Sequence, residues 1–136
     1  MVRRDFLALS SASALCLGLA GPTAAQDHPR IALIFVGASW CPVCHAAARV
    51  LAPAAERSGL EILVASQDGK PVPPWRNFVD ARAHPIAAEV KALPTLLFVD
   101  LVEGRIIARL EGFGEPRQYL GNIRRTLASI VEAGHG

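Results

Sequence analysis

The chain has 136 residues, room for one domain at most, with 51% hydrophobic residues, 19% charged residues and a formal net charge of +2. So small a charge, with no basic run or stripe, argues against a nucleic-acid surface, and Arg124-Arg125 reads as the solvated face of a helix. Three cysteines, Cys16, Cys41 and Cys44, are too few for a disulfide framework.

Residues 1–25 read as an export signal rather than as structure. Arg3 and Arg4 give a basic start, and Phe6 to Ala20 is a short apolar stretch diluted by Ser10, Ser11 and Ser13. Gly21 to Ala25 supplies small residues for cleavage after Ala25. Spanning a bilayer takes about 20 apolar residues, which makes an uncleaved anchor the weaker reading. The order Arg3-Arg4-Asp5-Phe6-Leu7 resembles the twin-arginine signal that exports folded proteins in bacteria, with an ordinary secretory signal as the alternative. Either route implies the periplasm. Cys16 would leave with the signal, and the remaining charge would be +1.

Gln26 to Arg30 is expected to be a linker, followed by one domain over 31–134. Ile31 to Val36 is a continuous apolar run of strand length, the mark of a strand covered on both faces. Gly37-Ala38-Ser39 breaks it. From Cys41 to Ser58 the period is helical, with Cys44, Ala47, Ala48, Leu51 and Ala55 on one face, Pro42 in the first turn and Gly59 as the stop. Leu60 to Ser66 is a second strand. Gln67 to Arg82, with Pro71, Pro73, Pro74, Trp75 and Phe78, reads as an ordered loop with a short helical turn.

Pro85 to Lys91 is predicted as a short helix, and Thr95 to Asp100 as a third strand. Glu103-Gly104 turns the chain into a fourth strand, Arg105 to Glu111. The last helix carries Leu120, Ile123, Leu127, Ile130 and Val131 on one face, and His135 is expected to fray. The implied fold class is α/β: a four-stranded mixed sheet with helices on both faces.

The chemistry is concentrated in Trp40-Cys41-Pro42-Val43-Cys44-His45. A pair closing so small a ring contributes little to stability, so a reversible redox role fits it better than a structural one. The same residues meet the minimal attachment pattern of c-type haem, and the two readings compete at this point. Against haem stand Met1 as the only methionine, which leaves His28, His84 or His135 as axial ligands, and the position of the cysteines behind a buried strand. A third reading, copper(I) held by Cys41, Cys44 and His45, suits the softness of the ligands.

Three local matches, in order and on the expected elements, make the stretch from Ile31 to Val131 resemble the thioredoxin superfamily. They are Trp40-Cys41-Pro42-Val43-Cys44, Leu93-Pro94-Thr95 at the start of the third strand, and Gly112 before the last helix. The resemblance implies a thioredoxin-like fold and a thiol–disulfide oxidoreductase. In it Cys41 is the nucleophile, stabilised as thiolate by the N-terminus of its helix, and Cys44 resolves the mixed disulfide. Pro94 would follow a cis bond, and Leu93 would offer its free backbone to an extended substrate peptide, with Trp40 shielding the pair. No bound cofactor and no metal are implied. The partners would be substrate proteins carrying disulfides and a membrane redox protein, DsbD-like or DsbB-like.

Two positions depart from thioredoxin. Its buried aspartate and the lysine beside it would fall at Phe35 and near Val64, so proton transfer at Cys44 must use water or another group. His45 is a candidate for that group. Pro-Val between the cysteines matches neither thioredoxin nor the strongly oxidising DsbA. The Trp40-Cys41 pairing is more similar to exported reductants of the TlpA and cytochrome-maturation type, which favours reduction.

Overall fold

A computed structural model describes residues 30–135. The expected signal at 1–25 and all of the linker but Arg30 lie outside the described residues. The elements run β1 (Ile31–Gly37), α1 (Pro42–Ser58), β2 (Ile62–Ser66), β3 (Val79–Asp80), β4 (Thr95–Asp100), β5 (Arg105–Glu111) and α2 (Pro116–Glu132), with 3₁₀ turns at Ala81–Ala83 and Ala87–Glu89. No helix among the described residues is long and apolar enough to cross a membrane.

The sheet has five strands in the order β3-β2-β1-β4-β5, rather than the four expected. The extra strand is the two-residue β3, which pairs in parallel with β2 through Ala65–Val79 and Ser66–Asp80. Two residues carry no periodic signal, so the pairing is set by the loop that delivers them. β1 lies parallel to β2 and antiparallel to β4, and β4 and β5 form an antiparallel hairpin with an irregular register between Phe98 and Val99.

Alternation along the central strands builds two cores. Leu33 and Phe35 of β1, with Leu96 and Phe98 of β4, face α1 and α2 in one buried cluster. Ile34, Val36, Leu97 and Val99 face the other way, against Ala81, Ala87 and Val90. Each fully buried aliphatic or aromatic side chain contributes about 1.5–3 kcal/mol. Both α-helices thus cover one face, and the 3₁₀ turns cover the other. The segment expected to be a helix at Pro85–Lys91 forms only the turn at Ala87–Glu89. His84, read from sequence as a surface residue without a partner, accepts from the Ile86 and Ala87 N–H groups at 3.2 and 3.3 Å through Nδ1 and caps that turn.

The predicted buried face of α1 is the observed one: Cys44, Ala47, Ala48, Leu51 and Ala55. Gly59 ends the helix at φ +70°, its N–H reaching the Ala55 and Glu56 carbonyls. In α2 the face shifts slightly, because Tyr119 joins Ile123 and Ile130 in the core while Val131 is exposed.

The end of the sheet away from the α1 N-terminus is tied by Asp100, which is fully buried. Arg30 donates to Asp100 Oδ2 from Nε at 3.0 Å, and the Val102 and Glu103 N–H groups donate to Oδ1 at 2.8 and 2.9 Å. His135 Nδ1 lies 2.6 Å from Asp100 Oδ2, so this residue is anchored rather than frayed. Burial alone would raise the Asp100 carboxyl, but Arg30, the two N–H groups and His135 together hold it below the usual carboxylate range. Replacing Asp100 by Ala leaves Arg30 and two backbone donors without their acceptor. The expected loss is about 2–3 kcal/mol in urea-unfolding stability, below the range for a fully buried pair because Arg30 is part-exposed.

Candidate functional site

β1 delivers its last residues directly to the N-terminus of α1, and this junction places both cysteines. Cys41 is the N-cap, with extended backbone at φ −94° and ψ 108°, and Pro42 occupies the first helical position. A cysteine at an N-cap aims its sulfur at the unpaired N–H groups of the first turn. Here the Cys44 N–H donates to Cys41 Sγ at 3.1 Å.

The two sulfurs are not equivalent. Cys41 is 6% exposed and Cys44 is 0% exposed, enclosed in the cluster with Phe35, Leu96 and Phe98. Burial, reinforced by its hydrogen bond to Cys41, pushes the Cys44 thiol up to about 12. Gly37 is required beneath the pair. A Cβ there would stand 2.9 Å from Phe35 Cε1 and 3.3 Å from Cys44 Sγ. Both thiols are free in this structure.

The loop between β1 and α1 is held by contacts that its own sequence does not announce. Asp68, just after β2, accepts from the Ser39 N–H at 3.1 Å and from the Ser39 hydroxyl, while Ser66 Oγ donates to the same carboxylate at 2.8 Å. Burial pushes the Asp68 carboxyl upward, but the Ser39 and Ser66 donors outweigh it and keep the group below its usual range. His45 completes the clamp, its Nε2 meeting the Ser39 carbonyl at 2.6 Å. Ser39 is thus gripped at its N–H, hydroxyl and carbonyl, which fixes the approach to Trp40 and Cys41.

That engagement bears on the metal and haem readings of His45. Among the described residues, the one trio of His, Cys, Asp or Glu side chains close enough to share an ion is Asp100, Glu103 and His135 at the other end of the sheet. Arg30 already lies against two of its members. Cys41, Cys44 and His45 do not form such a trio.

Leu93 and Pro94 lie in the turn that opens β4, and the bond between them is cis. The turn is fastened on both sides of Leu93. Thr95 Oγ1 donates to the Ala92 carbonyl at 2.6 Å, and the Gly112 N–H donates to the Pro94 carbonyl at 2.7 Å. Neither bond uses Leu93's own peptide groups. Gly112 does this at φ +84°, which favours glycine. Leu93 packs against the cluster that contains both cysteines.

Trp40 is 66% exposed and Val43 44% exposed, so both present apolar surface beside the pair. Shielding of Cys44 comes from the core. Trp75 and Phe78 also pack against that core, Trp75 with its ring 5.0 Å from Phe35, which makes the proline-rich loop a plug on the side of β1. Sequence reading missed Asp68, which lies 29 residues from Ser39 and has no motif around it. It also missed Tyr119, buried in the cysteine cluster one turn into α2.

The comparisons agree with this architecture. The model of the family described as "TraF: F plasmid transfer operon protein" matches residues 24–109, more than half of the chain. Among solved structures, the exposed lipoprotein thioredoxin Etrx1 of Streptococcus pneumoniae is similar with a TM-score of 0.52 at 20% identity, covering 71% of this chain and 85% of the other. A Chlorobium tepidum structure described as a thiol:disulfide interchange protein DsbE gives a TM-score of 0.51 at 19% identity, covering 79% and 82%. Likeness at this identity shows the fold, which is thioredoxin-like. No curated protein matches the chain.

The buried thiol has a consequence for stability against pH. A Cys44 whose folded-state value is about 12 and whose ordinary value is 9.0 favours the folded state below pH 9, and that contribution drains away as pH rises towards 12. An oxidised pair has no such thiol. The melting temperature of the reduced protein should therefore fall more steeply than that of the oxidised protein between pH 9 and 12, as followed by circular dichroism.

Proposed function

Since this chain belongs to the TraF family, whose model spans residues 24–109, we propose that it is an exported thiol–disulfide oxidoreductase working through Cys41 and Cys44. The observation that carries the reading is the 3.1 Å hydrogen bond from the Cys44 N–H to Cys41 Sγ at the helix N-cap, with the second sulfur buried behind it. A sulfur that already accepts a backbone N–H is prepared for negative charge, and the thiolate is the attacking form.

In this reading Cys41 attacks a substrate disulfide, forms a mixed disulfide and releases one substrate sulfur as thiolate. Cys44 then attacks Cys41, the Cys41–Cys44 disulfide forms, and the second substrate sulfur leaves. The substrate gains two electrons and the pair loses them. Leu93 and Pro94 form the turn that an extended substrate strand pairs with, and the exposed indole of Trp40 contacts the same partner. The chain is organised as a signal over 1–25, a linker over 26–30 and the catalytic domain over 31–134, acting in the periplasm. Its substrates are proteins with disulfides. A DsbD-like membrane protein returns the electrons, a DsbB-like one taking its place if the flow is reversed.

Reduction is the direction we assign. Pro42 removes one N–H donor near the Cys41 thiolate, which makes the reduced form slightly less favoured.

Replacing Cys41 by Ala should bring reduction of a protein disulfide such as insulin to the background rate, whereas Cys44→Ala should retain the first step and accumulate mixed disulfides. Full activity in the Cys41 variant would sink the assignment. Equilibration with glutathione gives the direction: a potential below about −200 mV supports a reductant, and one near −120 mV makes it an oxidant.

A further inference from the structure

A buried phenol in the cysteine cluster is a polar side chain that the reaction above leaves unused. Tyr119 is 5% exposed and belongs to the same buried cluster as Cys41 and Cys44. Among the described residues its hydroxyl is the one buried side-chain oxygen or nitrogen without a hydrogen-bond partner. A buried hydroxyl left unpaired costs stability, and such groups are rare in folded proteins. Its ring packs edge-on against Phe113, with centroids 4.9 Å apart.

The surroundings of Cys44 supply the complementary need. The sheet positions beside it are Phe35 and Val64, both apolar and both buried. His45 is turned to the Ser39 carbonyl. Yet the resolving step requires Cys44 to become a thiolate inside this apolar cluster, where an unassisted charge is disfavoured. Burial first, and then a charge on Cys44, lift the phenol above its ordinary range. The neutral phenol is thereby kept as a donor at all moderate pH.

We propose that Tyr119 is a positioning residue for the resolving half-reaction: its hydroxyl donates the hydrogen bond that Cys44 Sγ needs as it passes from thiol to thiolate. The phenol remains protonated throughout, and the Cys44 proton goes to solvent. The orphaned hydroxyl of the dithiol state is then the partner held for the thiolate that forms in the next one.

This inference rests on the dithiol reading, and a two-step reagent separates the two. With an aromatic disulfide such as 5,5′-dithiobis(2-nitrobenzoate), Cys41 thiolate attacks, a Cys41–thionitrobenzoate bond forms and the first thionitrobenzoate leaves. Cys44 thiolate then attacks Cys41, the internal disulfide forms and the second thionitrobenzoate leaves. Two protein thiols are oxidised and one reagent disulfide is reduced. In Tyr119→Phe the first phase should match the wild type, while the second should slow about tenfold, the loss expected for one hydrogen bond to a charged group.

The melting temperature of Tyr119→Phe should be equal or higher, because only an unpaired hydroxyl has been removed. Both phases within twofold of wild type would overturn the proposal. So would a clear drop in melting temperature with the two phases slowed together, which marks a structural role. Absence of a second phase in the wild type itself would overturn the dithiol reading, and this proposal with it.

Discussion

Everything distinctive in this molecule follows from the inequality of two sulfurs on one helical turn. Cys41 ends the extended chain and accepts a hydrogen bond from the backbone N–H of Cys44. Three positions on, the helix has turned inward, and the Cys44 sulfur lies in the apolar core with its proton held firmly. One sulfur meets a backbone N–H at the start of the helix, and the other is enclosed in the core. An N-cap and a 3.6-residue period are enough to produce that difference.

The rest of the fold keeps the junction rigid. β1 sits in the centre of the sheet, bonded to β2 on one side and β4 on the other, so the strand that feeds the helix is the least free to move. Gly37 lets Phe35 and Cys44 close over the backbone, and Asp68 with His45 immobilises Ser39. On the neighbouring strand, Gly112 fastens the Leu93–Pro94 turn by its N–H. These supports come from four different segments of chain. The Asp100 cluster serves the opposite end, where it joins the first described residues to the last.

How much of this was legible depended on how local the signal was. The apolar run at Ile31–Val36, the helical period from Cys44 to Ala55 and the stop at Gly59 each lie within one element, and each was readable from spacing alone. The Leu93-Pro94-Thr95 turn was readable through resemblance. What escaped was long-range or very short. β3 has two residues and no period of its own. Asp68 meets Ser39 across 29 positions, and His135 meets Asp100 across 35. The partners of His84 escaped notice because they are backbone N–H groups, which no side-chain pattern announces. The likeness in family and in fold rests on sequence spread through the chain, while these contacts rest on where the chain happens to fold back.

The inequality of the two thiols can be measured without any substrate. Brief exposure of the reduced protein to iodoacetamide at pH 7, followed by peptide mass mapping, should place the first carbamidomethyl group on Cys41 and leave Cys44 unmodified until the protein is unfolded. Equal labelling of both cysteines in the folded protein, or earlier labelling of Cys44, would contradict the account at its root.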